Sequence, residues 1–157
     1  MMYKHAVDRR KKRRYDSNDF KEIRSVCVAS TVSKATRIVG RIFEEEFRAV
    51  NISSPQFELL VSLKIAPGST AGEIAETLGA DPSTVSRNTE LLNKRGLICV
   101  APGTDRRIRV YHLTDEGEAT IQDCVPRWKA AQRRALKQIG RTSWETIRRD
   151  LARLETV

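Results

Sequence analysis

Residues 70–113 read TAGEIAETLGADPSTVSRNTELLNKRGLICVAPGTDRRIRVYHL. Thr70 and Glu73 have the spacing of a capping box, in which the hydroxyl accepts an early helical N–H and the carboxylate reaches back to the N–H of the cap. The helix they open places Ile74, Ala75 and Leu78 on one face and stops at Gly79. Asp81-Pro82 then supplies a second N-cap with proline at the first helical position. Val85, Thr89 and Leu92 form the apolar stripe of the helix from Pro82 to Arg95, and Gly96 ends it. Two strand candidates follow, Leu97 to Ala101 and Arg107 to Leu113, joined by the turn Pro102-Gly103-Thr104-Asp105. Two capped helices with a glycine-containing turn, followed by a hairpin, make a helix-turn-helix with a wing.

Upstream, Ser53-Ser-Pro-Gln56 is a further capping box, and its helix runs to about Ile65 before Pro67-Gly68. Before it, Phe20, Ile23, Cys27, Thr31, Ala35, Ile38, Ile42 and Val50 approximate the three-and-four spacing of one long helix, about Asp19 to Val50. Downstream, Thr114-Asp115-Glu116 caps a helix with two carboxylates near its positive end. Pro126 is expected to interrupt or kink it before Arg127 to Gly140 continues, and Thr142-Ser-Trp-Glu145 to open the last helix. The expected fold is mainly α with a small β-hairpin wing. At 157 residues, 39% hydrophobic and 6% aromatic, the core is lean and rests on aliphatic helix packing.

The net charge of +9 points to an anionic partner, either nucleic acid or an acidic membrane surface. Seven basic residues against the single Asp8 put six of those nine charges in Met1 to Arg14. Residues 1–18 therefore read as a basic, solvated tail that strengthens nucleic-acid binding without specificity, through counterion release. Cys27, Cys99 and Cys124 are odd in number and lack metal-ligand spacing, against a disulfide scaffold or a zinc site. With no apolar stretch near the ~18 residues of a membrane span and no signal-peptide core, a cytoplasmic protein without cofactor or metal is expected.

On the Pro82 to Arg95 helix, removing the apolar stripe leaves Ser83, Thr84, Ser86, Arg87, Asn88 and Glu90 facing outward. Arg is the natural bidentate donor to guanine and Asn to adenine, Thr offers a methyl to thymine, and Ser83 at the helix N-terminus suits a phosphate. The wing tip carries Asp105, Arg106 and Arg107, and arginine in a hairpin enters a narrow minor groove; Asp105 is placed to brace one of them. With Thr70 these residues form the expected DNA-facing set. The plain alternative is a solvated helix face and a charged turn. A winged helix used only for protein interaction would instead show an apolar or acidic recognition face. An enzyme needs a converging acid, base, nucleophile or metal. Here the histidines are His5 and His112, nucleophile and phosphate-loop motifs are missing, and Glu44, Glu45 and Glu46 splay around a helix.

From Ser53-Ser-Pro-Gln-Phe57 through Ala75-Glu-Thr-Leu-Gly79, Ser83-Thr-Val-Ser-Arg87 and Lys94-Arg-Gly-Leu97 to Asp105-Arg-Arg107 and Leu113-Thr-Asp-Glu-Gly117, the chain resembles the multiple antibiotic resistance regulator (MarR) family. The resemblance covers most of residues 20–140. It implies a homodimer whose N- and C-terminal helices interleave, a pseudo-palindromic double-stranded operator, repression, and release by a small aromatic or apolar effector. In those terms, residues 19–52 are an N-terminal dimerisation helix, 53–113 the winged helix-turn-helix and 114–157 C-terminal dimerisation helices. Trp144, Ile147, Leu151 and Leu154 would find their partner there. Trp128 beside Pro126 is the candidate for an effector crevice. Cys27 lies roughly where some branches of the family carry an oxidisable thiol; its alternative role is a small buried hydrophobe, with Lys21 and Arg24 near enough in sequence to lower its pKa. A redox-sensing regulator and an effector-independent architectural binder are the alternatives on the same fold.

Overall fold

The computed structural model describes residues 16–156, so the basic run of the first 14 residues lies outside the described part. The elements are α1 (Ser17–Val26), α2 (Val28–Phe47), a 3-10 turn (Arg48–Val50), α3 (Ser54–Ile65), α4 (Ala71–Leu78), α5 (Pro82–Lys94), β1 (Ile98–Pro102), β2 (Arg109–Leu113), α6 (Asp115–Ile139), α7 (Arg141–Leu151) and a 3-10 turn (Ala152–Thr156). The chain divides into two compact units at Arg37.

In the N-terminal unit, the single long helix expected from Asp19 to Val50 is two helices. Cys27 takes an extended ψ of 114° and ends α1, and α2 restarts at Val28. Asp16 opens α1 with a capping box to Asp19. The apolar stripe runs across the break without glycine or proline to mark it, which is why periodicity reads as one helix.

The second unit holds the core. α3 buries Phe57, Leu59, Leu60 and Leu63, and these pack with Phe47, Ile52, Ile74, Ala75, Val85, Leu92, Leu97, Ile98, Ile121 and Cys124. Phe47 and Phe57 meet with ring centroids 5.0 Å apart. Each fully buried aliphatic or aromatic side chain here contributes about 1.5–3 kcal/mol through removal of apolar area from water. The acidic run is structural. Glu44 accepts the Ser54 N–H at 2.9 Å, and Arg134 of α6 bridges Glu45 and Glu46 at 2.7 and 2.8 Å.

The capping boxes form as spaced: Ser53 with Gln56 opens α3 and Thr70 with Glu73 opens α4. Gly79 closes α4 at φ +57°. β1 and β2 pair antiparallel from Ile98↔Leu113 to Pro102↔Arg109, so β1 sits one residue later than periodicity suggests and β2 begins two residues later but ends at Leu113 as expected. Ser69 adds an isolated bridge to Tyr111, which the sequence does not signal. At the base of the wing, the Thr114 hydroxyl donates to Gly96 O at 2.6 Å and accepts the Gly117 N–H at 3.1 Å. A Cβ on Gly117 would overlap the Leu97 carbonyl oxygen, so α6 can approach the wing this closely only with glycine at 117.

In the C-terminal helices the structure shows no interruption at Pro126 and a different start for α7. α6 runs through Pro126 as one helix. Proline withdraws one N–H, and the carbonyl that loses its partner belongs to Gln122, an exposed residue of the helix. α7 starts at Arg141 directly after Gly140 (φ +87°), without a side-chain cap, so Thr142 lies inside the first turn rather than at its cap.

Candidate nucleic-acid interface

Helix α5 is fixed first at its N-terminus. Asp81 accepts the Ser83 and Thr84 N–H groups at 2.9 and 3.2 Å and also the Ser83 hydroxyl. These bonds, the Ser83 hydroxyl foremost and then the Thr84 and Ser83 amides, hold the Asp81 carboxyl below its ordinary pKa. Val85, Thr89 and Leu92 face inward, and buried Thr89 returns its hydroxyl to Ser86 O at 2.8 Å.

The outward set then sorts by what each side chain already does. The Ser83 hydroxyl belongs to the cap, and Asn88 donates one amide hydrogen to Thr84 O at 3.1 Å. Glu90 is held by Lys94 at 2.6 Å, the Lys94 hydrogen bond lowering the Glu90 pKa. Among the described residues, the side chains of Thr84, Ser86 and Arg87 make no hydrogen bond within the chain and face solvent in the first half of the helix. These are the polar side chains that the first half of the helix leaves unengaged. Thr70 sits at the N-cap of α4, where its hydroxyl accepts the Glu73 N–H at 3.2 Å and donates to the Glu73 carboxylate at 2.9 Å.

At the wing tip Arg106 and Arg107 are both exposed. Asp105 braces the backbone rather than a guanidinium: its carboxylate accepts the Arg107 N–H and its carbonyl the Ile108 N–H, each at 2.9 Å. The turn is closed by Gly103 N–H to Ile108 O at 2.8 Å.

At the other end of α5, Arg95 donates from Nη1 to the Asn51 carbonyl at 2.9 Å, a contact across 44 residues that no sequence motif signals. Asn51 follows Val50, and Val50 with Gln122, Asp123, Pro126, Arg127 and Ala130 of α6 lines a cleft of about 460 Å³. Trp128 is not among these lining residues; it is 40% exposed. Of the cleft residues, Val50 was read as the end of an apolar stripe and Pro126 as a kink, neither as a cleft wall.

In the N-terminal unit Cys27 is half-buried at the start of α2. The Ser30 hydroxyl and the Ser30 and Ala29 amides lower its thiol pKa, in place of the expected Lys21 and Arg24. Cys124 is buried and its pKa pushed up to about 11, by desolvation first and then by Asp123. Cys99 is exposed on β1.

A helix pair with an open polar reading face, flanked by an arginine-tipped hairpin, defines a winged-helix DNA-binding protein. Residues 50–108 match the family model described as MarR family. The chain is 31% identical over 93 residues to the HTH-type transcriptional repressor MdtR of Bacillus subtilis (strain 168), a match spanning 59% of this chain and 60% of that repressor's length. It is similar in structure to the M. tuberculosis transcriptional regulator MosR in complex with DNA, with a TM-score of 0.74, 31% identity, and 83% of this chain and 94% of that one covered. The fold is shared with a mutant MarR from E. coli complexed with operator DNA, at a TM-score of 0.77, 19% identity, and coverage of 85% and 96%. This chain therefore belongs to the MarR family, a family of transcription regulators rather than enzymes. Among the described residues no helix is long and apolar enough to cross a membrane.

Proposed function

We propose that the chain is a sequence-specific, double-stranded DNA-binding repressor that acts in the cytoplasm as a homodimer on a pseudo-palindromic operator. The observation that carries this is the outward face in the first half of α5, where the side chains of Thr84, Ser86 and Arg87 make no hydrogen bond within the described chain while those of Ser83, Asn88 and Glu90 are engaged. Asn88 retains its amide oxygen and one hydrogen for an adenine, while Arg106 and Arg107 supply the minor-groove contact. The similarity to a Bacillus repressor and to regulators solved with DNA supports the same reading. Two α5 helices in successive major grooves, about 34–36 Å apart, would read the two half-sites. Residues 19–52 and 114–157 supply the dimer contacts: α1 exposes Phe20, Ile23 and Val26, and α7 exposes Ile147 and Leu151, faces a second copy would cover.

Release is assigned to the cleft between Val50 and α6. A small, mostly apolar effector with one polar group fits its mixture of Val50, Pro126 and Ala130 with Asp123 and Arg127. Its differential affinity for the DNA-free form sets the release, typically ~1–3 kcal/mol of coupling. The lowered thiol pKa of Cys27 favours a second reading, oxidation at the α1–α2 junction, checked by thiol alkylation rate against pH and by DNA binding after peroxide.

Arg87→Ala tests the assignment. It should cost about 1–3 kcal/mol on a duplex enriched by the wild-type protein from a randomised library, and relax base preference at one position of each half-site. An unchanged affinity and base profile would remove Arg87 from the reading face.

A further inference from the structure

We propose that Arg95 is a positioning residue for DNA reading: by gripping the Asn51 carbonyl it fixes the C-terminal end of α5 to the wall of the effector cleft. The inference rests on the reading of α5 as the DNA-facing helix. Arg95 is the C-cap residue of that helix, its N–H bonded to Leu91 O at 3.1 Å, so its side chain acts where the helix ends. Its partner is a backbone atom in an unusual place. Asn51 has φ 51° and ψ 42°, and among the described residues it is the one non-glycine at positive φ. The Asn51 N–H returns to Arg48 O at 3.2 Å, which closes the 3-10 turn and sets the direction of the carbonyl that Arg95 meets. The turn ends on Val50, a wall of the cleft. The latch therefore joins the end of α5 to the turn before α3, whose last residue is a wall of the cleft.

The physical need for it follows from leverage. The Asp81 cap fixes one end of α5, and the 13 residues of the helix at ~1.5 Å each place the far end ~20 Å away. Base readout tolerates errors of about 0.5 Å and 10–20°, so a second fixed point at the far end holds the reading face in register. A ligand pressing on Val50 would act on the same turn and so on the same anchor.

The test compares affinity for the duplex enriched by the wild-type protein with that for a random duplex of equal length, across a salt series, with thermal unfolding of every variant. Arg95→Ala should weaken specific binding ~3- to 10-fold, leave random-duplex binding within about twofold, and leave the salt slope unchanged. Arg95→Lys, which keeps a donor, should recover part of the loss. Asn51→Gly keeps the left-handed turn and its carbonyl and should bind like the wild type. Asn51→Val resists φ 51° and should match Arg95→Ala, while the double variant should lose no more than either single one.

Equal loss on both duplexes with a salt slope shallower by about one would make Arg95 a phosphate contact and overturn the proposal. So would additive losses in the double variant, or wild-type specificity in Arg95→Ala. If Arg95→Ala does not fold, Arg95→Lys and Asn51→Val decide in the same way. A wild-type protein that enriches no sequence removes the reading of α5 together with this inference, and is seen before any variant is made.

Discussion

The lobe built around α3 and the terminal helices put their apolar helical residues to different ends. α3 buries five of its twelve residues, whereas α1 and α7 bury none. Phe20 stands 61% exposed and Leu154 62% exposed, while Phe47, Leu60 and Ile74 are sealed from solvent. Helical apolar spacing is present in α4 and α5 of the lobe as in α1 and α7, so periodicity by itself does not say who covers the face. The lobe closes on itself, and the terminal helices carry faces that a single chain leaves open; in our reading a second chain covers them.

The sharpest way to break the lobe is at its tightest approach. Gly117→Ala puts a methyl group into the Leu97 carbonyl oxygen, and backbone must move to relieve it. A loss of about 4 kcal/mol or outright failure to fold is expected in urea unfolding, with Gly117→Ser no better. Wild-type-like stability would mean that α6 and the wing base are further apart than described.

A paired substitution sharpens the comparison. Leu63→Ala, in the sealed core, should cost about 2–5 kcal/mol at any protein concentration. Leu151→Ala, on the open face of α7, should cost under about 1 kcal/mol at high dilution and shift the self-association constant measured by sedimentation. Equal, concentration-independent losses would contradict the division of roles.

Much of the lobe was legible because its signals are local. Ser53 with Gln56, Thr70 with Glu73, Asp81-Pro82 and Gly79 act within one turn of chain, and each did what its chemistry requires. What was not legible depends on distant chain or on the absence of a mark. The break at Cys27 carries no glycine or proline, and α6 continues through Pro126 without interruption. Asp105 bonds the backbone of its own turn, a choice made by hairpin geometry that residue types alone leave open. The outward residues of α5 were readable as a set, but which of them remain free was not. That division comes from the bonds of Ser83, Asn88 and Glu90 within the helix. The Arg95 contact to Asn51 needs the fold to bring residues 44 apart together.

The smallest effect expected is in the pH dependence of the lobe. Asp81 is hydrogen-bonded as the carboxylate, so its folded pKa lies below the ordinary 3.8, and its stabilisation is present above that value and lost as pH falls through the folded pKa. Asp81→Asn keeps a capping oxygen but does not titrate, so unfolding midpoints between about pH 5 and 2.5 should fall less steeply in the variant. An identical slope in both proteins would show that the Asp81 cap does not outlast its ordinary titration.

The most direct test of the account is the binding of the full chain to a duplex enriched from a randomised library and to a random duplex, at near-physiological salt, read for stoichiometry and affinity together. A preference of ~10³-fold or more with two chains per enriched duplex is the predicted result. Equal affinity for both duplexes, or one chain per specific site, would contradict a dimer that reads sequence through paired α5 helices.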